Sequence, residues 1–314
     1  MAKATRQAFG EALAKLGEKY PEIVALDADL SKSTKTEIFG KKFPERFFEM
    51  GIAEANMIGC AAGLSFVGKI PFACSFGAFI TGRYDTIRLS AVYAGANVRL
   101  VGTHAGLGIG DDGHSQMGLE DVSLMRSLPN MGVFQPMDAR ETELLMDYLV
   151  TEWKGPAYLR LTRQSLPDLF PAGAQFHPGK LMEIRKPSGK VAVVCIATGA
   201  GVSEAVQASQ QLASHGIEMS VWNAHCLKPF DDATTLSIAR EAKLMVTVED
   251  HSVVGGLGTC VAEAFAKATG HPELLKLGVQ DTFGESGEPV ELFEKHGFSA
   301  GAIARAVQGK LQKH

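Results

Sequence analysis

The sequence predicts an α/β protein with two consecutive domains, each a mostly parallel sheet covered by helices. Short apolar runs alternate with segments of helical periodicity, which is the pattern of such sheets. The chain has 314 residues, enough for two domains of ordinary size. Residues 166–189 lack periodicity and contain prolines at 167, 171, 178 and 187. We therefore expect a first domain over residues 1–165, a linker over 166–189 and a second domain over 190–314.

The first domain is expected to begin with a helix and to continue as alternating strands and helices. Apolar residues on one helical face mark the first helix, namely Phe9, Leu13, Leu16 and Tyr20. Apolar runs predict strands over residues 22–26, 70–75, 98–102, 132–135 and 158–162. Helices are expected over 53–64, from about 79 to 93, and from Asp138, where Glu141 three residues later forms a variant of the capping box.

The second domain repeats this alternation after the linker. Strands are expected over residues 191–196, 217–222 and 244–248, and helices over 203–214, 231–242 and from the glycine-rich turn 255–258 through Phe265. We find no internal repeat and no low-complexity segment, so the domain organisation depends on the alternation itself.

Composition and charge exclude several classes of partner. Apolar residues make up 46% and charged residues 21%, the net charge is −4, and no Lys/Arg-rich run occurs, which disfavours nucleic acid and anionic membranes as main partners. Apolar stretches are interrupted well before membrane-spanning length, and the N-terminal segment predicts an amphipathic helix, unlike a signal peptide. Five cysteines without a CxxC pair indicate reduced thiols and a cytoplasmic protein.

Glu54 is a carboxylate in a mainly apolar segment, and residues 59–66 after it contain hardly a polar group. A helix over this segment would hold Glu54 near or inside a packed interior. A buried carboxylate is costly unless it is paired, hydrogen-bonded or protonated, and a protonated glutamate in a dry site can donate to a ligand nitrogen. The other interpretation is a partly exposed helix glutamate bound to a backbone amide, because perturbed carboxylates are also structural.

Several chemistry-bearing residues lie at or just past predicted strand ends. In parallel sheets, ligands bind beyond the carboxyl ends of the strands, so these residues are expected to share one site. They are Asp27, Asp29, Phe76, His104, Gly106–Gly113 and Arg163. The glycine-rich turns 106–110 and 255–258 do not follow the strand–GxGxxG–helix order with an acidic residue about 20 positions later, so NAD binding is disfavoured.

Five motifs together resemble the C-terminal half of the transketolase family, over nearly the whole chain. They are Gly51-Ile-Ala-Glu-Ala-Asn-Met57, Ser75-Phe-Gly-Ala-Phe79, Gly102-Thr-His-Ala-Gly-Leu-Gly-Ile-Gly-Asp-Asp-Gly113, Arg126-Ser-Leu-Pro-Asn130 and Leu161-Thr-Arg-Gln-Ser-Leu-Pro167. The resemblance implies a pyrimidine-binding domain of the thiamine diphosphate type, followed by a transketolase C-terminal-like domain. It also implies ketol transfer with thiamine diphosphate.

The resemblance assigns cofactor contacts. The catalytic glutamate of the family falls on Glu54, which would bind the aminopyrimidine ring and drive its imino tautomer, so that the ring can take the thiazolium proton. The aromatic ring that stacks on the aminopyrimidine falls on Phe79, with Phe76 as a neighbouring wall. The alternative from the residues alone is that both are core phenylalanines, and for Phe76 the two interpretations stand even. Asp29 is a further candidate for the cofactor site.

The resemblance also assigns contacts to a sugar phosphate. The phosphate-binding and hydroxyl-binding positions of the family match Arg6, Ser33, His104, Asp112 and Arg163. Arginine suits phosphate because its planar fork gives two charge-assisted hydrogen bonds. Without the resemblance, Arg6 reads as a solvated helix residue.

The loop after Gly106 departs from the family. We call residues 106–113 the substrate loop. In the family, a histidine lies four residues after the aspartate that matches Asp112, and here that position is Gln116. His114 lies two residues earlier, and we expect it to point into the site as a substitute, giving Glu54, His104 and His114 as catalytic candidates. Gln116 as a reader of substrate hydroxyls is the alternative. We also expect the segment 82–88 to be one residue shorter than in the family.

The resemblance implies a second polypeptide. Enzymes of this type bind the diphosphate through Mg²⁺ in a separate domain that this chain lacks, and Gly110-Asp-Asp-Gly113 with Asn130 does not replace it. We therefore expect no metal ligands in this chain, Mg²⁺ ligands in the partner subunit, and homodimerisation within an α2β2 assembly. The Met1 start, followed at once by a helix, indicates a natural chain start.

Three alternatives remain at this point. A β subunit of a 2-oxoacid dehydrogenase shares the domain pair, although Arg6, Ser33 and the motif around Arg163 favour a phosphorylated sugar. A deoxyxylulose-phosphate synthase is disfavoured because it is one long chain. A non-catalytic paralogue that only completes a dimer is disfavoured by Glu54 and Phe79.

Overall fold

A computed structural model describes residues 2–240 and 242–312 of the chain. Met1, and with it the predicted chain start, lies outside the described residues, as does Glu241 near the end of the helix predicted over 231–242. The described chain forms two large sheets dominated by parallel pairing, which confirms the predicted fold class. No helix of the described ranges is long and apolar enough to cross a membrane.

The first sheet has seven strands in the order β12-β6-β7-β5-β4-β2-β3. Six come from the first part of the chain and pair in parallel, namely β2 (Ile23–Asp27), β3 (Phe47–Glu49), β4 (Ile70–Phe76), β5 (Arg99–Thr103), β6 (Gly132–Phe134) and β7 (Ala157–Arg160). The seventh, β12 (Cys226–Lys228), comes from the second part and pairs antiparallel with β6. A small two-stranded sheet joins β1 (Lys3–Ala4) to β8 (Ser165–Leu166).

Helices cover both faces of the first sheet. They are α1 (Thr5–Lys19), α2 (Ser31–Thr34), α3 (Glu37–Lys42), α4 (Glu54–Phe66), α5 (Gly77–Thr81), α6 (Tyr84–Thr86), a π-helix (Ile87–Tyr93), α7 (Asp121–Ser127) and α8 (Ala139–Thr151), with 3₁₀ turns over Pro44–Arg46 and Leu107–Asp112. Strand alternation supplies both cores: Ile23 and Ala25 pack with α1 and α8, whereas Val24 and Leu26 pack with α4.

The second sheet has five strands in the order β14-β13-β10-β11-β9. They are β9 (Met182–Arg185), β10 (Val193–Ala197), β11 (Met219–Asn223), β13 (Leu244–Ser252) and β14 (Glu273–Val279), of which only β9 pairs antiparallel. Its helices are α9 (Gly201–Ala213), α10 (Asp232–Ala239), α11 (Leu257–Phe265), α12 (Pro289–Lys295) and α13 (Ala300–Leu311).

The structure corrects two local predictions. The segment predicted as a linker contains β9, which pairs with β11 at the edge of the second sheet. The helix expected from about 79 to 93 is broken into α5, α6 and the π-helix, with the break at Gly82 and Arg83. Local periodicity could not reveal β9, because an edge strand is defined by its pairing. It could not reveal the break at Gly82 either, because glycine interrupts a helix without changing its apolar pattern.

The two sheets share one interior. Val122 and Met125 of α7 lie in the same apolar cluster as Val194 and Ile196 of β10. The two units of the chain are therefore packed together, which places the loops of the first sheet against the second unit.

Candidate active site

Glu54 is the first residue of α4 and is 5% exposed. Its Oε2 lies 3.9 Å from Nε of Arg83, which follows α5. A carboxylate is favoured at a helix N-terminus because the backbone N–H groups there are unpaired and carry partial positive charge. The predicted burial of this carboxylate is confirmed, and Arg83 is a partner that sequence reasoning did not identify.

Three rings are stacked in series near the end of β4. The Phe79 and Phe76 centroids are 5.4 Å apart with planes at 16°, and the Phe76 and His104 centroids are 3.9 Å apart at 27°. Phe79 is half-buried on α5, a helix that lies beside α4 and its Glu54. The rings therefore extend from the side of the fold that carries Glu54 to the loop that carries His104.

His104 is buried and holds a left-handed backbone, with φ of 57°. Its Nε2 lies 2.8 Å from Nη1 of Arg6, and its Nδ1 lies 2.8 Å from Oγ1 of Thr103. Since a guanidinium can only donate, Nε2 accepts, and Nδ1–H then donates to Thr103. Burial, with the positive charges of Arg6, Arg163 and Lys35, lowers the pKa of His104 to about 3. The imidazole is therefore neutral at physiological pH.

Arg6 joins α1 to the loop after β2. Its Nη1 donates to the backbone carbonyl of Ser33 at 2.8 Å, so the predicted pair Arg6 and Ser33 lies together. The same loop brings Lys35 close enough to lower the pKa of His104. Asp27 holds this loop, because its carboxylate accepts hydrogen bonds from the backbone of Leu30 and the hydroxyls of two threonines, Thr34 and Thr36.

Arg163 and Asp112 form the other side of the cluster. Arg163 donates from Nη1 to the carbonyl of Ile109 at 2.7 Å, and the same atom lies 3.5 Å from Oδ2 of Asp112. Burial and the charge of Arg163 lower the pKa of Arg6, whereas the charge of Asp112 raises it. The predicted residues Arg6, His104, Asp112 and Arg163 are thus brought together. With Lys35 they give three cations, one carboxylate and a neutral imidazole, a composition that favours a small anionic ligand.

His114, Gln116 and Asp29 lie apart from this cluster. The exposed His114 ring faces Phe283 of the second unit, with centroids 5.9 Å apart, and not His104. Gln116 is half-buried, and its backbone N–H donates to the carbonyl of Gly113. Asp29 is exposed, and its N–H donates to Oε1 of Glu49 at 2.7 Å. The catalytic role of His114 and the cofactor role of Asp29 stay predictions.

Sequence reasoning missed Lys35, Arg83 and the loop-holding role of Asp27. Lys35 has a left-handed backbone, with φ of 73°, that turns the chain after α2. Lys35 and Arg83 stand in no motif that points to the site, so sequence reasoning could not identify them.

The side chains of α4 and α5 suit the ring of thiamine diphosphate. A buried carboxylate on α4 and a half-buried phenylalanine on the neighbouring α5 fit a flat aminopyrimidine ring. Within residues 2–240 and 242–312, no group of three or more His, Cys, Asp or Glu side chains is arranged to hold a metal ion.

Comparison with protein families matches both units. Residues 1–168 match the pyrimidine-binding domain of transketolase, and residues 182–303 match the transketolase C-terminal domain.

Two relatives match almost end to end. A putative transketolase C-terminal section of Methanocaldococcus jannaschii is 41% identical, covering 99% of this chain and 97% of the relative. A 6-deoxy-6-sulfo-D-fructose transketolase subunit of a Clostridium species is 40% identical, covering 96% and 92%. Human transketolase is 37% identical over 99% of this chain, which spans only 49% of the human protein.

A solved structure shows the same fold at full length. A split-gene transketolase, described as an inactive β4 tetramer, superposes with a TM-score of 0.87 at 43% identity and covers 99% of both chains. The chain therefore belongs to the transketolase family, in which it corresponds to the pyrimidine-binding and C-terminal domains.

Proposed function

We propose that this chain is the small subunit of a two-subunit transketolase that transfers a two-carbon ketol unit between sugar phosphates. A partner subunit supplies the diphosphate-binding domain with the Mg²⁺ ligands, and the assembly acts in the cytoplasm. The observation that carries this proposal is the cationic cluster of Arg6, Lys35 and Arg163 around neutral His104, joined by stacked rings to the side of Glu54. The family match supports it over a 2-oxoacid dehydrogenase β subunit.

Each residue group has a distinct task in this proposal. When bound, thiamine diphosphate would supply the nucleophile for ketol transfer. Glu54 holds or releases a proton at the pyrimidine ring, in a position from which water is largely excluded. Phe79 supports the face of that ring, while Arg6, Lys35 and Arg163 bind the anionic end of the sugar.

His104 is proposed to contact a sugar hydroxyl close to the anionic group that the cluster binds. Its neutral imidazole carries a proton on Nδ1, held toward Thr103, and presents Nε2 as an acceptor on the side of Arg6. A substrate that draws the guanidinium of Arg6 onto its anion would free Nε2 to accept a hydrogen bond from that hydroxyl. His104 then positions substrate and accepts a hydrogen bond without becoming charged.

A second copy of the chain is proposed to cover the π-helix. Of the exposed large apolar side chains, Leu89 is 56% and Tyr93 is 87% exposed, and both lie on this helix beside a groove of about 370 Å³. The related split-gene structure assembles as a β4 tetramer. Ile52, 83% exposed and two residues before Glu54, is in contrast assigned to the partner subunit, which must approach Glu54 to complete the cofactor site.

Reconstitution tests the function. The purified chain, alone and then with the chain that co-purifies with it from its own cells, is assayed for ketol transfer from D-fructose 6-phosphate to an aldose phosphate. Calorimetry follows thiamine diphosphate with Mg²⁺. We expect cofactor binding and transfer only in the mixture. Activity of the chain alone would refute the two-subunit arrangement. A mixture that transfers no ketol unit from sugar phosphates would favour the non-catalytic paralogue. If that mixture instead transfers a ketol unit from 6-deoxy-6-sulfo-D-fructose, the substrate is a sulfonated sugar.

A further inference from the structure

The substrate loop is held by a carboxylate from the second unit. Asp250, on β13 and 1% exposed, accepts the N–H of Leu107 on Oδ1 at 2.7 Å and the N–H of Gly108 on Oδ2 at 3.2 Å. One side chain thus pairs with two consecutive backbone donors at the start of the loop, across 143 and 142 positions of sequence. Such charge-assisted bonds are stronger than bonds between neutral groups.

The loop is shaped to accept this carboxylate. Gly106 has φ of 87°, and a Cβ built on it would lie 2.2 Å from Oδ2 of Asp250, so only glycine allows the approach. At the other end, a Cβ on Gly113 would lie 2.7 Å from Oγ of Ser286, also in the second unit. The backbone of the loop is therefore fitted to the second unit at both ends.

The next residues of the loop reach the proposed substrate cluster. Ile109, one position after Gly108, gives its carbonyl to Arg163, and Asp112 lies 3.5 Å from the same guanidinium. A shift of the backbone at Leu107 and Gly108 would move both contacts of Arg163. The carboxylate of Asp250 thus acts on the cluster through the loop, without touching it.

Asp250 is itself fixed by a buried ion pair. Arg160 donates from Nη2 to the backbone carbonyl of Asp250 at 2.9 Å and from Nε to Oδ2 of Asp121 at 2.8 Å. The positive charge of Arg160 offsets part of the cost of burying the Asp250 carboxylate. The strand that carries Asp250 is therefore tied to the end of β7, from which Arg163 follows three residues later.

We infer that Asp250 is a positioning residue for sugar recognition: its carboxylate sets the substrate loop so that Arg163 and Asp112 face the substrate. This gives the second unit an indirect part in substrate recognition, through the substrate loop. The inference rests on the proposed function for its substrate, while the loop geometry stands on the contacts themselves.

Glu249 provides a matched control. It precedes Asp250 on β13, is 1% exposed, and its carboxylate likewise accepts two consecutive N–H groups, from Leu257 and Gly258 at 2.7 and 2.8 Å. Those donors begin α11, far along the chain from the substrate loop. Glu249→Gln therefore perturbs the same kind of buried contact without touching the loop.

Hydrogen exchange of the full chain tests the geometry without any activity. In Asp250→Ala, the amides of Leu107 and Gly108 should exchange at least about tenfold faster than in the wild type, since a charge-assisted bond is lost. Glu249→Gln should instead loosen the start of α11 and leave residues 106–113 unchanged. Should Asp250→Ala fail to fold, Asp250→Asn, which keeps one acceptor oxygen, and Gly106→Ala replace it. Unchanged exchange in the loop of a folded Asp250 variant would overturn the inference.

Kinetics of the reconstituted enzyme test the consequence. With D-fructose 6-phosphate, the Asp250 variant should raise KM by about tenfold or more and change kcat less, because the loop binds substrate and not the cofactor ring. Exchange of the thiazolium proton, which depends on Glu54, should stay at the wild-type rate. An equal fall of thiazolium exchange, or the same KM change in Glu249→Gln, would show general destabilisation. If the wild-type assembly transfers no ketol unit, the proposed function fails, and the exchange of the loop still decides the role of Asp250.

Discussion

Glu54 tests the chemistry at the scale of one residue. Glu54→Gln is nearly isosteric at the start of α4, but an amide cannot take part in proton transfer to a ring nitrogen. We expect exchange of the thiazolium proton in the reconstituted enzyme to fall by about a hundredfold or more, the usual contribution of a positioned acid or base. Thermal unfolding should stay close to the wild type.

Glu45→Gln is the control for this substitution, since the Glu45 side chain is 69% exposed. Wild-type exchange in Glu54→Gln would mean that Glu54 is a structural helix residue.

Arg163 tests recognition of the anion. Arg163→Ala should raise KM for D-fructose 6-phosphate by about tenfold to a hundredfold, because a charge-assisted contact worth about 1.5–3 kcal/mol is lost. KM for unphosphorylated D-fructose should change much less. Arg140→Ala, at an exposed arginine of α8, is the control. An equal loss with both sugars would assign Arg163 only to its bond with the carbonyl of Ile109.

His104 makes stability depend on pH in a defined direction. The folded chain keeps His104 neutral down to about pH 3, whereas the unfolded chain protonates it near 6.5. The unfolded state therefore binds more protons between these values, so the contribution is complete above about 6.5 and declines as the pH falls. At pH 5 the loss amounts to about 2 kcal/mol relative to neutral pH.

Urea unfolding at pH 5 and 7.5 measures this effect. His104→Gln should lose less stability on acidification than the wild type, and His215→Gln, at an exposed histidine, should behave as the wild type. Identical pH dependence of His104→Gln and wild type would show that His104 titrates normally in the folded chain.

Sequence reasoning identified the site residues that belong to a recognisable motif or spacing. His104, Asp112 and Arg163, expected from strand ends, lie together with Arg6 and Ser33, which the family resemblance indicated. Residues that act through distant contacts carried no signal. Lys35 and Asp250 are an ordinary loop lysine and a strand aspartate until folding brings them to His104 and the substrate loop.

At the scale of the element, the Asp138 cap holds more than its own helix. Its Oδ1 accepts the N–H of Glu141 at 2.8 Å, which confirms the predicted carboxylate cap. Oε2 of Glu141 accepts the N–H of Met137, one residue before the cap, whereas a standard capping box would use the N–H of Asp138. Its Oδ2 accepts the N–H groups of Leu169 and Phe170, both at 2.7 Å. One carboxylate thus starts α8 and anchors the segment after β8.

Asp138→Ala should therefore cost more than an ordinary cap. Loss of the cap accounts for about 1 kcal/mol, and unpaired N–H groups at Leu169 and Phe170 add further cost, so we expect at least about 2 kcal/mol by urea unfolding. Asp138→Asn, which retains an acceptor oxygen, should lose clearly less. A loss near 1 kcal/mol in Asp138→Ala would show that water replaces the bonds to the later segment.

Elements with their own periodicity were predictable, and elements defined by pairing were not. The main parallel strands and the helices α1, α4, α8 and α9 follow apolar patterns that local sequence contains. The strands β9 and β12 were not predicted, because each is defined by its pairing with a neighbouring strand, β11 and β6 respectively.

At the scale of the whole molecule, the π-helix is the proposed contact between copies. Tyr93→Asp places a charge on a face that a second copy would bury, and a buried unpaired charge strongly disfavours association. Sedimentation of the isolated variant should give a smaller species than the wild type, at unchanged thermal stability. Phe283→Asp, equally exposed at 81% but in the second unit, should leave the assembly intact. A wild-type monomer, or no change in Tyr93→Asp, would place the contact elsewhere.

The strand β12 has a consequence for biosynthesis. It completes the first sheet beside β6 although it is made some ninety residues later, as the pairing of Cys226 with Phe134 shows. During synthesis, the edge of the first sheet at β6 remains unpaired until residue 228 has left the ribosome. An unpaired sheet edge can pair with other chains. For the same reason, a protease that cuts between β8 and β9 would not release two independent halves. The strand β12 of the later fragment would remain paired with β6 of the earlier fragment.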